Sequence, residues 1–128
     1  MSAESSRPRE QLGFRTAVPT LEFETSRSGA VAVITATGEL DLSGAALLES
    51  ELERLAEEPD VATVVLDLRG LEFMDSSGLR LVVLADMQAR ESGRRFVLVR
   101  GTDTVHRVFE ITRMSERLDF VAEPEEVG

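Results

Sequence analysis

The segment Phe73-Met74-Asp75-Ser76-Ser77-Gly78-Leu79 holds one carboxylate, two adjacent hydroxyls and a glycine between two apolar runs. Four chemistries use such residues. As helix-starting residues, Asp75 is an N-cap and the serines occupy the first turn. That role leaves Gly78 unexplained, because glycine inside a helix costs about 1 kcal/mol relative to alanine. A bare backbone there permits close approach of another segment of the same chain or of a partner. As a nucleophile, a serine needs a base within reach and an oxyanion hole. The only histidine, His106, falls one position off the inward stripe of its predicted helix and reads as solvated, and the local sequence is not G-x-S-x-G. As a metal-bound aspartyl phosphate site, Asp75 would join Asp41 and Asp67. That chemistry relies on a lysine, and all 14 basic residues of this chain are arginine. Asp67, inside a predicted strand, is expected only to organise loop amides.

The fourth chemistry is phosphorylation of Ser76 or Ser77 by another protein's kinase. A helix N-terminus presents free N–H groups and partial positive charge, so phosphate on its own first turn leaves the fold intact. The effect falls on whatever docks there. Phosphate adds roughly −1.5 to −2 charges. Burying it uncompensated against a partner costs about 3–5 kcal/mol, by analogy with broken buried ion pairs. Binding then weakens by about two orders of magnitude or more, enough for a switch. The residues alone do not choose between the two serines.

These side chains need a scaffold. Thr20 to Ser26 alternates and reads as a half-buried strand; Arg27 to Gly29 is a turn, and the β-branched run Ala30 to Thr37 is its hairpin partner. Gly38 to Gly44 is a predicted loop with capping residues at Asp41 and Ser43. A helix over Ser43 to Glu58 turns Ala45, Leu48, Leu52 and Leu55 inward and Glu49, Glu53 and Glu57 outward. Val61 to Leu68 is nearly all apolar, as in a central strand covered on both faces. Further elements are a helix over Ser76 to Glu91, a strand over Arg95 to Arg100, a helix over Thr102 to Arg113 with Val105, Val108, Phe109 and Thr112 inward, and a strand over Leu118 to Ala122. The order ββαβαβαβ predicts an α/β fold: a mixed, mostly parallel sheet with an N-terminal hairpin and helices packed on it. Segments Gly38–Ser43, Leu68–Asp75 and Arg100–Asp103 then belong to one sheet edge, which would make Asp41, Asp75, Ser76 and Ser77 neighbours.

Composition bounds the rest. With 128 residues, the chain is about one domain, read as a flexible tail over 1–19 and a folded unit over 20–128. Aromatic content of 5% leaves the core to Leu, Val and Ala. Without cysteine there is no disulfide framework or thiolate; without lysine there is no Schiff base or P-loop; one histidine precludes a multi-histidine metal site. No metal or cofactor is expected. A net charge of −10 repels nucleic acid and anionic membrane, and suits a basic partner surface. "MSAESSRPRE" has no apolar signal core, and no apolar run reaches about 18 residues, so the cytoplasm is the expected location.

"GELD" (Gly38 to Asp41), "VVLDLRGLEFMDSSGL" (Val64 to Leu79) and "VHRVFEIT" (Val105 to Thr112) resemble, in order and spacing from about Leu21 to Ala122, the STAS domain of anti-sigma factor antagonists. The resemblance implies a partner-switching protein that is not itself an enzyme. Members bind an anti-sigma factor that is also a serine kinase and so free a sigma factor; the kinase phosphorylates a serine of the antagonist and ends the interaction, and a serine phosphatase reverses the mark. The family's phosphorylated serine corresponds to Ser77, with Ser76 the lesser candidate. The implied partner surface comprises Gly38, Glu39, Asp41, Ser43, Asp75, Ser76, Ser77, Gly78, Leu79 and Arg80. Three departures stand out. Arg80 replaces a common glycine, Ile111-Thr112-Arg113-Met114 lacks the glycine that often follows the threonine, and the C-terminus is short. Arg80 lies at i+3 from Ser77, where it would pair with the phosphate or adapt the surface to a different partner. The alternative reading is a STAS interaction module in another assembly, a stress-signalling scaffold or a soluble transporter subunit.

Overall fold

The alternating segment and the β-branched run pair as expected. Strands β1 (Leu21–Ser28) and β2 (Val31–Leu40) form an antiparallel hairpin in register from Leu21↔Gly38 to Ser28↔Val31, turning at Gly29 with φ 60°. These belong to a computed structural model that describes residues 20–127; the tail expected over 1–19 lies outside the described residues. Helix α1 (Leu42–Ala56), β3 (Thr63–Met74), α2 (Ser76–Glu91), β4 (Arg95–Val99), α3 (Asp103–Ile111) and β5 (Phe120–Val121) follow. The sheet order is β1-β2-β3-β4-β5, with every pair after the first parallel. The α/β architecture inferred from the element order is therefore the one observed.

Strand alternation divides the sheet into two faces. Ala32, Ile34, Leu66, Leu68 and Leu98 point to the face that carries the helices and pack with Leu48 and Leu55 of α1, Leu81 and Val82 of α2, and Val105 and Phe109 of α3. Val65, Val97 and Val99 point to the other face and pack with Val127. The run Val64 to Leu68 is buried on both faces, which explains its nearly unbroken apolar character. The C-terminal "EPEEVG" begins a 3-10 turn, Pro124–Glu126, that seats Val127 against these valines.

Several boundaries differ from expectation. Arg27 and Ser28, expected in the turn, extend β1 and pair with Ala32 and Val31. Gly38 to Leu40 is not loop but the end of β2, and Leu68 to Met74 is not loop but the second half of β3. The β2–β3 register shifts twice, between Thr35 and Thr37 and between Gly38 and Glu39, and β3 supplies the extra residue each time. Burial along Leu68 to Met74 consequently recurs every third residue, at Leu68, Leu71 and Met74, and hides the two-residue signature of a strand. Thr112 does not face inward; it is the exposed C-cap of α3, and its hydroxyl donates to the Val108 carbonyl at 2.7 Å.

Candidate functional site

The site begins where β2 and β3 end together. Leu40 and Met74 are the last residues of their strands and are register partners, and the Asp75 amide donates to the Leu40 carbonyl at 3.3 Å. Asp41 and Asp75 each follow by one residue, so the N-termini of α1 and α2 start side by side. The segments containing Asp41 and Asp75 are thereby brought together as the topology required. The third expected segment is not part of this group. Strand β4 ends at Val99, opposite Asp67, and β3 runs on through Met74, so Arg100–Asp103 is set back along the sheet beside Leu68.

Both aspartates are N-caps. The Asp41 carboxylate accepts the Gly44 amide at 2.9 Å, and the Asp75 carboxylate accepts the Ser77 amide at 2.9 Å and the Gly78 amide at 3.4 Å. Ser43, expected to share the capping role, is instead an exposed first-turn residue of α1. Asp75 thus already occupies two of the amides that the sequence left free for a phosphate.

Gly78 is buried, and the close approach it permits is internal. A Cβ there would lie 2.6 Å from Met74 Cγ and 2.8 Å from Leu40 Cγ. In the structure Gly78 seats the first turn of α2 on the strand ends. Leu79 is half-buried and packs on the core. Gly38 has φ 99° and lies against Thr20, whose carbonyl accepts the Glu39 amide at 3.1 Å. That conformation belongs to glycine, so Gly38 shapes the strand end while Glu39 is exposed.

Outward, α1 and α2 enclose an open cleft. Leu42, Ala45, Ala46 and Glu49 line one wall, and Ser77, Arg80, Leu81 and Leu84 the other, each at i, i+3, i+4, i+7 spacing. Ser77 is half-buried on this cleft and Ser76 is exposed beside it. Leu42 is 74% exposed and Leu84 40%. Sequence reasoning missed the α1 wall. Leu42 directly after a cap was its available signal, whereas Glu49 read only as an outward residue of a solvated helix.

The competing chemistries lose their geometry. His106 is not solvated; it is 5% exposed, with ring centroids 4.9 Å from Phe120 and 6.0 Å from Phe109. It lies on α3 and packs edge-on against Phe120 of β5. Asp67 is buried on the sheet face opposite the helices. Its carboxylate accepts the Arg69 amide at 3.0 Å and pairs with the Arg69 guanidinium at 2.8 Å. It does not converge with Asp41 and Asp75, and its expected role in organising local amides is what it performs.

A family model described as "Mlab, STAS domain" matches residues 23–122. An anti-sigma F factor antagonist of Lysinibacillus sphaericus is 30% identical over 80 residues, covering 62% of this chain and 68% of that protein. The anti-sigma-F factor antagonist RsfB of Mycobacterium tuberculosis is 36% identical over 75 residues, covering 58% and 60%. Among solved structures, the unphosphorylated anti-sigma factor antagonist SpoIIAA superposes with TM-score 0.71 at 24% identity, covering 83% of this chain and 93% of that one. A Thermotoga maritima protein reaches 0.74 at 22% identity, covering 81% and 89%. At those identities the structures establish the fold. Taken with the matched sequence, they assign the chain to the STAS-domain family of anti-sigma factor antagonists.

Proposed function

We propose that the protein is a partner-switching antagonist: unphosphorylated, it binds an anti-sigma factor with serine kinase activity and frees a sigma factor; phosphorylation of Ser77 ends the interaction, and a serine phosphatase restores it. In this role it is a substrate and a binding surface, working in the cytoplasm without nucleic acid or membrane contact. The observation that carries the reading is the position of Ser77, half-buried on a cleft whose rim exposes Leu42 and Leu84. A dianion introduced there lies inside a docked interface, where its desolvation is costly. Ser76, exposed beside the cleft, would leave its phosphate in water at less cost to a partner.

In the reaction, the Ser77 Oγ forms a bond to the γ-phosphorus of ATP. The bond from that phosphorus to the bridging oxygen breaks, ADP leaves, and the hydroxyl proton passes to a base on the kinase. The test is incubation with ATP and the kinase that co-purifies with the protein. We expect a mass gain of one phosphate, lost in Ser77→Ala and retained in Ser76→Ala. Ser77→Asp is expected to weaken binding by about 100-fold or more in calorimetry, with unfolding unchanged. Phosphate gained by Ser77→Ala and not by Ser76→Ala would transfer the role to Ser76.

A further inference from the structure

Resting on that reading, the environment of Ser77 raises a question of charge. The first turn of α2 offers a phosphate little of its usual reception. Asp75 already accepts the Ser77 and Gly78 amides, and it contributes a carboxylate of its own at the same turn. Across the cleft stands a second carboxylate, Glu49. Phosphorylation would therefore place a dianion between two anions, at a helix end whose donors are partly taken. A helix N-terminus alone does not settle such a charge.

One cation shares the cleft. Arg80 is exposed, lies three residues after Ser77, and lines the same wall. Helical side chains lean toward the N-terminus, so an arginine at i+3 is directed back over the residue one turn earlier. Among the described residues Arg80 forms no salt bridge. A guanidinium presents paired N–H donors that match phosphate oxygens.

We infer that Arg80 is the intramolecular counter-ion of phosphorylated Ser77. The modification then has two effects on a docking partner: it brings in a dianion, and it withdraws the cleft's arginine from any acidic group that the partner had placed against it. Arg80 is a positioning residue for the switch, and it does no chemistry in the transfer.

The test needs neither the kinase nor the partner. Phosphoserine is installed at position 77 during translation, in the full chain, and the phosphate is titrated by phosphorus NMR. With Arg80 present, the second ionisation of the phosphate is expected about half a pH unit lower than in Arg80→Gln. Arg80→Lys should keep part of the difference, and 1 M salt should remove most of it, since the screening length is then about 3 Å. Circular dichroism of Arg80→Gln should match the parent, because among the described residues Arg80 makes no hydrogen bond or salt bridge. Superimposable titrations of parent and Arg80→Gln would overturn the inference. The two proposals fail separately: if no kinase modifies Ser77, the functional reading falls, while this titration still reports whether Arg80 holds the phosphate.

Discussion

Gly78 shows how one missing methyl holds the site together. Replacing it with alanine adds helix propensity worth about 1 kcal/mol. The new Cβ, however, would lie 2.6 Å from Met74 Cγ and 2.8 Å from Leu40 Cγ, both in buried side chains at the strand ends. Overpacking of that kind costs about 1–3 kcal/mol. The net expectation for Gly78→Ala is a loss of about 1 kcal/mol in urea unfolding, with partner affinity also reduced because the first turn of α2 must shift. A gain in stability would show that the strand ends yield at no cost. Asp75→Ala should lose about 1 kcal/mol through its cap, and Asp75→Asn should recover most of that. Gly78 was legible in sequence as a point of close approach. What approached was not, because Leu40 is 38 positions away in sequence and meets Gly78 only through the β2–β3 register.

At the scale of elements, what could be read from sequence depended on whether an element kept its period. Helix α1 kept it: Ala45, Leu48 and Leu55 are buried as the stripe required. The first half of β3 did too, through its apolar run. Its second half did not, because two extra residues broke the alternation. The candidate site was legible in its caps and serines and illegible in its α1 wall, since facing helices are set by packing that no single helix encodes. A link of the same kind joins the residue before β4 to α1. The Arg94 guanidinium donates to the Leu55 carbonyl at 3.1 Å and to the Glu58 carbonyl at 2.8 Å, adding a second donor at the C-terminal end of α1 to acceptors that already take the Glu58 amide at 3.1 Å and the Val61 amide at 3.2 Å. Arg94→Gln is expected to lower unfolding stability by about 1–2 kcal/mol, measured by urea titration, and to leave Ser77 phosphorylation unchanged. A loss below the resolution of the titration would show that water replaces both bonds.

For the molecule as a whole, the single histidine ties stability to pH. His106 escaped its assignment because helix periodicity considers the sheet beneath α3 and not the short β5 beside it, where Phe120 closes over the ring. Among the described residues its buried Nδ1 has no hydrogen-bond partner. Burial is the main force holding its pKa below 6.5; Arg100 acts in the same direction, and Asp103 and Glu110 oppose both. The folded chain therefore binds the neutral ring, whereas the unfolded chain takes up a proton near 6.5. Between the two pKa values the unfolded state carries more protons, so stability rises with pH there. The contribution is fully present above about 6.5 and is lost progressively as pH falls toward the folded-state value. No other side chain ordinarily titrates between about pH 5.5 and 7.5, because the chain has no second histidine and no cysteine. Urea midpoints across that window should fall on acidification in the parent and stay nearly level in His106→Leu. The comparison uses the slope with pH and not absolute stability, so a cost of repacking leucine against Phe109 and Phe120 does not enter. Parallel slopes in the two proteins would place the titrating group elsewhere in the fold.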